Sequence, residues 1–72
     1  MTYVPETIQV HTSTGEAMIW VEHISAIVLT PINPNNVEIH LTSGTIFTVT
    51  SYKGRRSNDA HKTILKDIGW GV

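Results

Sequence analysis

Cysteine is absent from this 72-residue chain, so no disulfide can staple it and no thiolate can bind a metal. Positive charge is absent from the first 52 residues: Lys53, Arg55, Arg56, Lys62 and Lys66 all follow them. No apolar run approaches the ~18 residues of a membrane-spanning helix, which predicts no membrane association. The opening Met1-Thr-Tyr-Val-Pro5 lacks the basic region and apolar stretch of a secretory signal. Together these absences lead us to expect a cytoplasmic protein. Also missing are a Gly-x-Ser-x-Gly turn, a phosphate-binding Gly-Lys-Ser/Thr loop and a His-Glu-x-x-His helix. The expectation is a protein that is not an enzyme and that carries no cofactor and no metal.

Small size limits stability. A chain this short buries only about 60% of the surface it exposes when unfolded, and its core rarely supplies more than ~3–5 kcal/mol. With no disulfide available, a partner subunit is the simplest further support, so a homo-oligomer, dimer or higher, is expected. Charge is split along the chain. Residues 1–52 hold Glu6, Glu16, Glu22 and Glu38 and no cation, or −4; residues 53–72 hold five cations against Asp59 and Asp67, or +3. A basic C-terminal segment of this kind suits an acidic partner.

What is present is β-forming. Ile, Val and Thr supply 26 of the 72 residues, and branching at Cβ suits a pleated surface. Ile8 and Val10 alternate with Gln9 and His11, and Val37, Ile39 and Leu41 alternate with Glu38, His40 and Thr42. The chain nearly repeats itself: Ile8–Val21 aligns without a gap on Val37–Thr50, with His11/His40 and Gly15/Gly44 identical. Each copy reads as strand, glycine turn, strand. For the second copy, a three-residue loop Thr42-Ser43-Gly44 places Ile39 opposite Phe47 and Val37 opposite Val49, all on one face. By the echo, Ser13-Thr14-Gly15 is expected to turn likewise, pairing Val10 with Met18 and Ile8 with Trp20. Trp20 is then a core residue and Ile19 faces outward.

The spacing predicts one domain over 1–72, with strands at about 6–12, 16–21, 24–30, 37–41 and 45–51 and a helix at about 58–68. The nearly continuous apolar run Ile24–Thr30 suggests burial on both faces, in mid-sheet or in a subunit interface. Pro31–Asn36 reads as a loop. Ser57 or Asn58 is expected to cap the helix, Ala60, Ile64, Leu65 and Ile68 form its apolar stripe, and Gly69 stops it. The fold class is α+β: a five-stranded antiparallel sheet of two similar hairpins and a linking strand, with one C-terminal helix. A single helix covers one sheet face only. Ile19, Ile27, Leu29 and Ile46 then need other cover, and with Trp70 they are the candidate interface residues.

From Gly15 to Leu65 the chain runs through Val21, Ile24, Ile27, then Val37, Ile39, Leu41, Gly44, then Phe47 and Val49, then the helix. This order resembles the small FlbD-type proteins associated with flagellar operons and is similar to the first part of LytTR DNA-binding domains. The chain lacks the His-Arg-Ser-Tyr-like segment near the end of LytTR domains. Its Pro-Asn loop and its Lys-Gly-Arg-Arg stretch are additions to the compact FlbD form. Neither resemblance carries a catalytic residue.

Two groups of residues could carry chemistry. Lys53-Gly54-Arg55-Arg56, with Lys62 and Lys66 beyond, sets cations around a flexible glycine beside a helix N-terminus, a composition that suits phosphate or nucleic acid; the bland alternative is a solvated connection. His11 and His40 share one face, and if their strands were neighbours they could share a metal with Glu38; exposed strand histidines are ordinary. The expectation is a small homo-oligomeric protein-interaction or regulatory module, with an accessory nucleic-acid-binding protein as the alternative.

Overall fold

Alternating apolar residues need a sheet to bury one face, and the computed structural model, which describes residues 4–31 and 36–70, contains one. Strands β1 (Thr7–Thr12), β2 (Gly15–Trp20), β3 (Ile24–Leu29), β4 (Val37–Leu41) and β5 (Ile46–Ser51) precede one helix, α1 (Ser57–Asp67). All pairings are antiparallel, and the order across the sheet is β2-β1-β5-β4-β3. The α+β class expected from the sequence is the one observed. Most of the Pro31–Asn36 loop lies outside the described residues; its base is closed by Thr30, whose amide and hydroxyl both donate to the Asn36 carbonyl. Among the described residues no helix is long and apolar enough to cross a membrane.

The second hairpin turns as expected. Val37 faces Val49 and Ile39 faces Phe47. Leu41 closes onto Thr45 across the three-residue loop, with Gly44 at φ +96°. The first hairpin does not follow the echo. Thr12 closes directly onto Gly15, so its loop is only Ser13-Thr14, and Val10 faces Ala17 while Ile8 faces Ile19. A single side chain explains the difference. The Thr12 hydroxyl accepts from the Thr14 amide at 3.3 Å and donates to the Gly15 carbonyl at 2.6 Å. The aligned residue in the second copy is Leu41, which has no such group. One residue of register exchanges the faces of a strand. Ile19 is therefore in the core at 2% exposure, not on the outward face, and Trp20 is outward and half exposed, not core.

Two β-bulges shape the sheet. Ser25 is the extra residue between Ile24 and Ala26 in β3, and Thr50 is the extra residue where β5 meets β1. Each bulged residue donates its hydroxyl to a partner-strand carbonyl, Ser25 to His40 and Thr50 to His11. Bulges bend and twist a strand, and the connection between the sheet's two edges requires bending. β2 and β3 would lie about 19 Å apart in a flat sheet of this order. Only one 3₁₀ turn, Val21–His23, joins them; four Cα steps reach at most roughly 14 Å. The sheet is therefore curled, with its apolar face around the core and α1 packed on β3, β4 and β5.

The core comprises Ile8, Val10, Ile19, Ile24, Val37, Ile39, Val49, Tyr52, Ala60, Ile64 and Ile68. Tyr52 joins it because the Thr50 bulge resets the alternation of β5. β3 is an edge strand rather than a central one. Its Ile27 and Leu29 face α1 and are only partly buried, and its Val28 is outward and 41% exposed, so the expected burial on both faces is not observed. At the start of α1, Arg56 takes the cap position, without a side-chain cap bond, in place of the expected Ser57 or Asn58. Ser57 is instead the first helical residue, entered at φ +50°. The helix ends as the sequence implies. The Trp70 amide bonds to Leu65 O at 2.8 Å and the Gly69 amide to Lys66 O at 3.2 Å, with Gly69 at φ +83°, which is a Schellman motif.

Candidate functional site

The basic segment after β5 is a tight turn, not a flexible loop. Tyr52 and Arg55 exchange both backbone hydrogen bonds, at 2.8 and 2.9 Å, around a two-residue turn at Lys53-Gly54. Both turn residues have positive φ, +51° and +76°, as a type I′ turn demands. Glycine adopts that conformation freely; a lysine there costs about 1–2 kcal/mol. Lys53 is held in it by its side chain. Its Nζ donates to Asp67 Oδ2 at 2.8 Å and lies 5.4 Å from the centre of the Tyr52 ring.

Asp67, at the C-terminal end of α1, is the hub of this cluster. The same Oδ2 accepts the hydroxyl of buried Tyr52 at 2.6 Å. The Lys53 and Tyr52 hydrogen bonds, in that order, hold the Asp67 carboxyl below its ordinary value, against the opposing effect of burial. Tyr52 is shifted the other way: burial, then its bond to Asp67, raises its hydroxyl well above the ordinary 10.0, so it stays a neutral donor. Sequence reasoning marked Lys53 as a candidate phosphate ligand and missed both of its partners. The signal was faint, since Tyr52 and Asp67 lie 15 positions apart and belong to different periodicities.

The five cations do not converge. The Lys53 ammonium reaches the C-terminal end of α1, where Lys66 lies, whereas Arg55 and Arg56 stand at its N-terminal end, and Lys62 lies between. An eleven-residue helix puts about 16 Å between those ends. Lys53 is neutralised by Asp67; Arg55, Arg56, Lys62 and Lys66 form no ion pair among the described residues.

Beside the cluster lies an open groove of about 790 Å³. Thr7 and Gln9 of β1 form one wall; Lys53, Gly54, Lys66 and Asp67 form the other. At its far end Glu16 accepts from Gln9 Nε2 at 3.1 Å and sits 3.6 Å from His11 Nδ1. The groove exists because β1 pairs with β5 only through His11 and Thr12.

The histidines are not brought together. β1 and β4 flank β5 on opposite sides, and His11 faces Ser51 on it while His40 faces Ile46. The five-residue offset separates them by about 15 Å along the strands. Glu38 and His40 do lie close, at 3.3 Å. Among the described residues no group of three or more His, Asp or Glu is placed to hold a metal ion. Of the candidate interface residues, Ile46 and Trp70 are 53% and 47% exposed, Ile27 and Leu29 are partly buried at the β3 edge, and Ile19 is enclosed. The register also exposes two residues that sequence reasoning placed inside, Met18 and Trp20.

No family model, no curated protein and no solved structure matches this chain.

Proposed function

We propose that the protein is a non-enzymatic, homodimerising interaction module in which the β3 edge of one copy pairs with the β3 edge of another. The observation that carries this reading is an unguarded edge. β3 reads Ile-Ser-Ala-Ile-Val-Leu, without a charge or a proline, and sheet edges are ordinarily blunted by such residues. Ile27 and Leu29 spill past the cover of α1 on one side, while Val28 is exposed on the other. Antiparallel pairing about a twofold axis would cover these edge residues and continue the sheet. β2, the other edge, carries Glu16 and has its inward Ile19 already buried. A regulatory role would act through this interface.

Light scattering coupled to gel filtration tests the reading. The unsubstituted protein should run at twice its 8.0 kDa chain mass. Val28→Lys, at an outward site opposite Glu38, should run as a folded monomer. A monomer at high micromolar concentration in the unsubstituted protein would contradict the proposal.

Nucleic-acid binding is the second reading, supported by Arg55 and Arg56 before α1 and Lys62 on it, which form no ion pair among the described residues. If it holds, duplex DNA affinity falls with log salt at a slope of about −0.9 per phosphate contact, and each of Arg55→Ala, Arg56→Ala and Lys62→Ala removes about that much slope. A slope that ignores these substitutions excludes it.

A further inference from the structure

We infer that the groove between β1 and the C-terminal end of α1 is a strand-addition site for an extended peptide that carries an acidic side chain. Strand geometry fixes which backbone groups face it. The Ser13 amide donates to Thr48 of β5, and the His11 carbonyl accepts from Thr50. On the other side the Glu6 carbonyl accepts from Val21, just beyond β2. Odd-numbered residues of β1 therefore point their N–H and C=O groups toward β5, and even-numbered ones toward β2. By that alternation Thr7 and Gln9 also point toward β5.

β5 is not there to meet them. The next residue in its ladder, Lys53, would face Gln9, but φ +51° at that residue turns the chain back on itself. β1–β5 pairing stops at His11. Two N–H groups and two C=O groups thus face the groove in the spacing of a half-used strand edge, and added peptides bond to such edges through their main chain. A volume of about 790 Å³ is within the range of binding clefts.

Charge selects the side chain. At the α1 end, Lys53 is matched by Asp67 while Lys66 forms no ion pair among the described residues, so that end is positive. Glu16 makes the hairpin end negative. An acidic residue of the peptide belongs against Lys66 and away from Glu16. The site is separate from the β3 edge, so Val28→Lys should leave it intact.

The experiment uses the ¹⁵N-labelled full chain. In the free protein the Thr7 and Gln9 amides should exchange rapidly with deuterium while Ile8 and Val10 are protected. A pool of end-capped pentapeptides with Glu at the centre and random flanks, at about 5 mM to reach millimolar Kd values, should shift Thr7 and Gln9 and protect them. Lys66→Glu should weaken that pool roughly fivefold, the scale of an exposed ion pair, and favour a Lys-centred pool instead. Backbone N-methylation of the peptides should abolish binding. Thr7 and Gln9 amides already protected in the free chain would overturn the inference. So would unchanged shifts with either pool, or binding that survives N-methylation. None of these outcomes bears on dimerisation at β3.

Discussion

Asp67 takes two hydrogen bonds on one carboxylate oxygen, and pH should report both. Its carboxyl is held low in the folded protein, first by Lys53 and then by Tyr52. A depressed carboxyl stabilises the fold above its unfolded value of 3.8, and that contribution is lost as pH falls through the lower folded value. Tyr52 is raised, so its contribution is complete below its ordinary 10.0 and is lost as alkali ionises the unfolded chain. Tyr52→Phe should cost about 1–2 kcal/mol at neutral pH and flatten the alkaline limb. Asp67→Asn should cost about 1–3 kcal/mol and flatten the acid limb. Urea midpoints measured across pH check both; an acid limb that Asp67→Asn leaves unchanged would remove Asp67 as its source. None of this was legible beforehand, because a strand end and a helix end 15 residues apart give no sign that their side chains will meet.

Among the elements, α1 was legible and its surroundings were not. Of the expected stripe, Ala60, Ile64 and Ile68 are buried and Leu65 only partly so, and the terminating glycine does what glycine alone does well. Gly69 has φ +83°, and an added Cβ would lie 3.2 Å from Val4 Cγ2. Gly69→Ala should therefore cost about 1 kcal/mol, a fall of roughly 4–8 °C in Tm for a domain of this size. A calorimetric Tm that does not move would show that the Schellman end tolerates a side chain. β2 could not be read in the same way. It has apolar residues on both faces, Ala17 and Ile19 against Met18 and Trp20, so alternation could not choose between registers, and one threonine hydroxyl did.

For the whole molecule, small size and an uncovered edge lead to one expectation. A core of eleven buried residues among those described leaves little reserve, so a partner that pairs with the folded chain alone should raise its apparent stability by mass action. Tm should climb with protein concentration in the unsubstituted chain and stay level in Val28→Lys; a Tm independent of concentration in both would speak against the dimer. The sequence by itself determined the α+β class, the second hairpin's register and the end of the helix. Those follow from residue-local physics: Cβ branching, alternation, and glycine where φ is positive. Tertiary structure alone decided which strands lie at the edges, where the two bulges fall, and that Lys53 faces Asp67. These depend on contacts between residues far apart in the chain, and a one-residue change of register or bulge position reassigns a whole face at once.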